Sequence, residues 1–118
     1  MSLRDKLEAL LRQIRAGEGL LVMDADGLPV EALAWGEELG LEAIGAECVP
    51  LLREAGALAQ GLHLGAWTHL GLLAARRNVH FVPLGADCTL AVLTRATGNA
   101  AAGRRAVREE APALQALL

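Results

Sequence analysis

The stretch LLVMDADGLPV, residues 20–30, decides how this chain is read. Four consecutive apolar residues, Leu20 to Met23, deliver Asp24-Ala25-Asp26-Gly27, and apolar residues resume at Leu28. Asp-Gly between apolar runs is a strong hairpin signal, because glycine supplies the positive φ that a tight turn needs. The unbroken apolar approach predicts a strand covered on both faces. Pro29 cannot donate to a ladder, so the returning strand, Leu28 to Trp35, is expected at a sheet edge.

The same letters suit two chemistries that the rest of the chain excludes. An aspartyl-phosphate enzyme needs a nucleophilic Asp24, Asp26 as acid/base, a lysine for the phosphate and a further acidic pair for magnesium. The only lysine, Lys6, precedes the stretch, and no acidic pair follows a comparable strand. A calcium loop would need ligands where Leu28 and Trp35 stand. Ser2 is the only serine, tyrosine is absent, and no phosphate-binding GxxxxGK[ST] loop occurs. The expectation is a non-enzyme with no catalytic, cofactor-binding or metal-binding residue.

At 118 residues and 53% apolar composition, the chain is expected to form a single domain over residues 1–118. A net charge of −3 argues against nucleic acid as a partner. No apolar run approaches the roughly 20 residues of a transmembrane segment. The charged start, MSLRDKLEALLRQIRAGEG, lacks a signal-peptide core, so a cytoplasmic location is expected. Cys48 and Cys88 form no CxxC pair and read as small apolar core residues in a reducing compartment.

Outward from the hairpin, residues 2–16 form an amphipathic pattern with Ser2 as cap and Asp5 three residues on. Residues 37–62 read as a helix opened by Glu37 and Glu38 and bent at Pro50. Strands are expected at 66–75, 79–84 and 88–94, the first two joined by Arg76-Arg77-Asn78. Thr97-Gly98-Asn99 then opens a last helix that Pro112 bends or ends. The order α-β-β-α-β-β-β-α, with short turns between strands, predicts an α+β domain with an antiparallel sheet and helices on its faces.

Several residue groups invite functional readings. On the middle helix, Leu41, Gly45, Cys48, Leu52, Ala55, Ala59 and Leu62 share one face, which suits packing on the sheet and contact with another helix equally well. If the turn centres on Arg77-Asn78, His80 pairs with Ala75 and stands roughly 20 Å from His69, too far to share an ion. Arg104, Arg105 and Arg108 form a basic stripe that pairs with Glu109, Glu110 or solvent, or marks a docking surface. Trp35 and Trp67 sit near strand ends, as core edge or interface anchor.

The N-terminal helix, GLLVMDADGLPVEAL, the Ala/Leu-rich middle helix, VHFVPLG, TLAVLT and the final helix together resemble the Roadblock family, of the dynein light-chain and gliding-motility MglB type. The resemblance implies a five-stranded antiparallel sheet, profilin-like, in the order second, first, fifth, fourth, third. It places the middle helix on one face and the terminal helices on the other. It also implies a homodimer through the third strands and middle helices, which assigns Gly45, Cys48, Leu52, Ala55, Ala59, Thr68, Leu70 and Leu72 to the interface. The implied partner is a Ras-like small GTPase, with stimulation of GTP hydrolysis as the activity; Arg76 and Arg77, at a turn tip, are either simply solvated or dock on such a partner's acidic surface or serve as arginine fingers. The alternative is a scaffold subunit that leaves GTP turnover unchanged. WTHLGLLAA, residues 67–75, carries no formal charge, and such an apolar edge needs a cover.

Overall fold

Ser2 starts the first helix as its sequence position predicts. Its hydroxyl accepts from the Asp5 amide at 3.1 Å, and its own amide donates to the Asp5 carboxylate at 3.3 Å. This reciprocal box satisfies two of the amides a helix start leaves over. The computed structural model describes residues 2–35, 40–96 and 100–118. Their elements are α1 (Leu3–Gln13), β1 (Gly17–Asp24), β2 (Pro29–Ala34), α2 (Leu41–Gly61), β3 (Leu70–Leu73), β4 (Arg77–Leu84), β5 (Cys88–Arg95) and α3 (Ala100–Ala116). The expected openings at Glu37-Glu38 and at Thr97-Gly98-Asn99 lie outside the described residues.

The five strands form one antiparallel sheet in the order β2-β1-β5-β4-β3. Successive side chains of a strand point to opposite faces, and β1 shows this division clearly. Leu20 and Val22 join Leu7, Leu10 and Leu11 of α1 and Val107 and Leu114 of α3 on one face. Leu21 and Met23 join Leu41, Phe81, Ala91 and Leu93 beneath α2 on the other. The unbroken apolar run of β1 is thus explained by cover on both sides. At 25 cal/mol per Å², each such fully buried side chain contributes about 2 kcal/mol before entropy is counted.

The β1–β2 turn is closed by a carboxylate. Asp24 Oδ1 accepts from the amides of Asp26 at 2.9 Å and Leu28 at 3.0 Å. Gly27 takes φ +82°. A Cβ there would lie 2.6 Å from Val49 Cγ2 and 2.7 Å from the Gly45 carbonyl oxygen, so the turn sits directly on α2. Where the sequence credits Asp26 and Gly27, the structure gives the polar work to Asp24. Asp26 instead faces Arg53 at 3.6 Å across an exposed surface, an ion pair of little worth.

Helix α2 runs on through Pro50. It ends in a Schellman motif, with the His63 amide donating to Gln60 O and the Leu64 amide to Ala59 O. The left-handed position of that motif is held by His63, at φ 55°, where glycine is usual. Two expectations are corrected, and one, that Pro112 bends or ends the last helix, is narrowed. The third strand covers Leu70–Leu73 and not 66–75, because Gly65 at φ +85° and His63 still turn the chain before it, and Asn78 Oδ1 caps the Ala74 amide after it. Pro112 lies inside α3, which continues to Ala116. The first helix stops at Gln13, followed by an extended Ile14 and a left-handed Ala16.

Candidate interaction surface

The two edges of the sheet are built differently. On β2, Pro29 withholds a donor, the pairing with β1 is irregular between Val22 and Met23, and Arg4 Nη1 bonds the Ala32 carbonyl at 3.3 Å and the Glu31 carboxylate at 2.8 Å. These are the devices that discourage a further strand. β3 has none of them. Among the described residues it pairs with β4 alone, through Leu70↔Phe81, Gly71↔His80, Leu72↔Val79 and Leu73↔Asn78. Leu72 is 56% exposed and Leu73 67% exposed. Leu72 stands across from Val79, on the face that α2 covers, and Thr68 is exposed just before the strand.

The small-residue stripe of α2 faces its own sheet. Gly45 is buried, and a Cβ on it would lie 2.7 Å from the Gly27 carbonyl oxygen. Cys48 and Leu52 pack against the cluster beneath the helix, and Ala59 is buried. Within the single chain Gly45 and Ala59, expected to face a second copy, are already covered. Ala55 is half-buried. The apolar side chains that α2 turns outward are Leu51, Leu58 and Leu62. Spacings of seven and four residues place those three on one flank of the helix.

Arg76 and Arg77 sit where the chain passes from β3 to β4, but they differ in freedom. Arg77 Nε donates to Glu18 Oε2 at 2.7 Å, and Arg95 Nε lies 3.9 Å from the other oxygen. Glu18 is mostly buried and so ties β4 and β5 to β1 at one end of the sheet. Arg77 is thus committed within the chain. Arg76 is exposed and forms no ion pair among the described residues.

The histidine geometry overturns the expected separation. His69 Nε2 and His80 Nδ1 are 3.0 Å apart, with ring centroids 5.0 Å apart. The β3–β4 pairing sums to 151, as in Leu70↔Phe81, where a turn centred on Arg77-Asn78 would give about 155. That shift sets His80 opposite Gly71 and makes His69 its diagonal neighbour on the same face. Both imidazoles are held below their ordinary value of 6.5. Burial is the larger cause for each; Arg104 and Arg108 add to it at His69, and His69 and Arg104 at His80. Among the described residues no three potential ligands gather for a metal ion. The sequence signal for this pair was the H-x₁₀-H spacing across a turn, readable only with the right register.

Both cysteines are half-buried, and burial pushes their thiols up, with Glu47 adding at Cys48 and Asp87 and Asp24 at Cys88. Neither is a poised nucleophile. No helix among the described residues is long and apolar enough to cross a membrane.

No family model matches the sequence, and no curated protein matches it. Solved structures do match its fold. The gliding protein MglB from Thermus thermophilus aligns with TM-score 0.87 and 15% identity, covering 98% of this chain and 87% of that one. MglC from Myxococcus xanthus aligns with TM-score 0.71 and 28% identity over 100% of both chains. A Roadblock/LC7 domain from Streptomyces avermitilis aligns with TM-score 0.78 and 16% identity, covering 97% and 98%.

Proposed function

From the Roadblock fold that this chain has, we propose that it works in the cytoplasm as a homodimeric, non-catalytic regulator of a Ras-like small GTPase. The observation that carries the reading is the bare β3 edge, with Leu72 and Leu73 exposed and no proline, lysine or bulge to protect it. A twofold pairing of β3 with its copy supplies the missing ladder and covers Leu72. Leu70, Leu72 and Thr68 form the strand side of that contact. On α2 the contact falls to Leu51, Leu58 and Leu62, with Cys48, Leu52 and Ala55 supporting them from the half-buried flank. Gly45 and Ala59 stay on the sheet.

The regulator acts by holding the partner's nucleotide-dependent loops in one conformation, so it stimulates hydrolysis without donating a catalytic group. Arg76 is the docking residue that retains a free charge, and Arg77 keeps its place through Glu18. The test is GTP turnover by the small GTPase that co-purifies with this protein, measured with and without it. Faster turnover supports the regulator. Binding with unchanged turnover assigns the chain to scaffolding in a larger complex instead.

A further inference from the structure

A cleft of about 420 Å³ opens between α3 on one side and β4 with the segment just before β3 on the other, lined by Thr68, His69, Val82, Arg104, Arg108 and Ala111. Val82 belongs to the core cluster beneath α1 and α3, so the cleft lies on the sheet face opposite α2. Its polar walls are hydrogen-bond donors: two guanidiniums, an imidazole and a hydroxyl. Arg104 and Arg108 are four residues apart on one helix, which sets their side chains one above the other. Neither makes an ion pair among the described residues.

The chain has little to neutralise this charge. No Asp or Glu occurs from residue 55 to residue 86, so β3, β4 and the segment before them cannot supply a carboxylate. Glu109 and Glu110 follow Arg108 directly, and at about 100° per residue they project away from the Arg104–Arg108 side of α3. The close pair of histidine nitrogens would suggest a cation. Two arginines facing them, and the lack of a third ligand among the described residues, decide against it.

We propose that this cleft binds a phosphoryl group, as inorganic phosphate or as the phosphate end of a small molecule. A tetrahedral dianion can accept from two guanidinium forks and the Thr68 hydroxyl at once, more donors than a single carboxylate engages. His69 lines the cleft with its Nε2 3.0 Å from His80 Nδ1; when His80 donates in that contact, the remaining Nδ1–H of His69 is a donor for the anion. All the residues that line the cleft come from one protomer; Thr68 is shared with the proposed β3 contact, whereas Arg104 and Arg108 lie on α3, outside it.

The test uses the full chain and inorganic phosphate in calorimetry, at matched ionic strength, with acetate as the comparison anion. Wild-type protein should give a saturable isotherm, and Arg104→Ala with Arg108→Ala should weaken it about tenfold or more. Arg105→Ala, about 100° round the helix, should leave affinity within about twofold. All three arginines are exposed, so the variants should fold, which melting curves verify. A thermal shift with phenyl phosphate, equal to or larger than that with inorganic phosphate, would point to the small-molecule source. A shift with inorganic phosphate alone would point to the free anion. No saturation at about 10 mM phosphate, equal loss in Arg105→Ala, or acetate binding as tightly as phosphate would each overturn the proposal.

Discussion

Helix α2 carries two glycines whose replacement by alanine should have opposite effects. At Gly56 a Cβ would meet nothing within 4 Å. Gly56→Ala therefore gains only the helix-propensity difference, about 1 kcal/mol of stabilisation. At Gly45 the same gain applies, but the new methyl would stand 2.7 Å from the Gly27 carbonyl oxygen, 3.3 Å from Leu21 Cδ2 and 3.4 Å from Met23 Sδ. The carbonyl is backbone, held by a turn in which Gly27 is already left-handed, so it cannot swing aside as a side-chain tip would. Overpacking of this kind costs about 1–3 kcal/mol. Propensity cancels between the two variants, so their stabilities should differ by about 1–3 kcal/mol, with Gly45→Ala the lower. Urea unfolding at one fixed protein concentration measures this, because the proposed dimer would make midpoints concentration-dependent. In a thermal melt the gap is about 4 °C per kcal/mol for a domain of this size. If Gly45→Ala stabilises as much as Gly56→Ala, the close approach of turn and helix is wrong.

If the proposed dimer forms, Leu72→Lys should convert it to monomer, read by light scattering at tens of micromolar; a monomeric wild type or an unchanged mass in the variant would sink the edge-pairing argument. Asp24→Ala removes the acceptor of two turn amides and should cost about 1–2 kcal/mol, whereas Asp24→Asn keeps an amide oxygen there and should cost less than half as much. Equal losses in the two would show that charge, and not hydrogen bonding, is what the turn uses. His63→Gly relieves a left-handed non-glycine residue and should stabilise by roughly 1 kcal/mol in the same unfolding assay; a loss would show that the His63 side chain makes a compensating contact. His69 and His80 have depressed folded-state pKa values, so the unfolded chain takes up more protons in the window below 6.5. Their contribution is present above that value and is lost as pH falls through the window; unfolding at pH values on either side should show the drop, and His69→Gln should reduce it.

Much of this fold was legible in short-range chemistry. The Asp-Gly turn, the proline that marks β2 as an edge and the Ser2–Asp5 box each act over a few residues, and each stands where the sequence places it. What was misread depends on choices a single sequence leaves degenerate. Small residues on α2 suit a sheet below or a helix beside, and only the approach of the Gly27 carbonyl shows that Gly45 serves the sheet. The β3–β4 register turned on where Asn78 sits. As a turn residue it would have parted the histidines; as a strand residue that caps the Ala74 amide, it brings them together. The cleft was hidden for the same reason, because α3 and β3 are far apart in sequence and neither alone carries a site motif. Arg77 reads as a free tip charge until its distant partner, Glu18, is found across the sheet.

The unequal edges of the sheet also set a stoichiometry. A strand surface open at both ends would have a valence of two and could add copies without limit. Here the β2 end is stopped by Pro29, by irregular pairing and by the arginine already bonded to the Ala32 carbonyl, which leaves the β3 end, among the described residues, as the one open to a further strand. A monomer with a single sticky end makes a pair and then has nothing left to join. In the proposed dimer growth would stop at two, and the apolar edge that would otherwise seed fibres would be self-limiting.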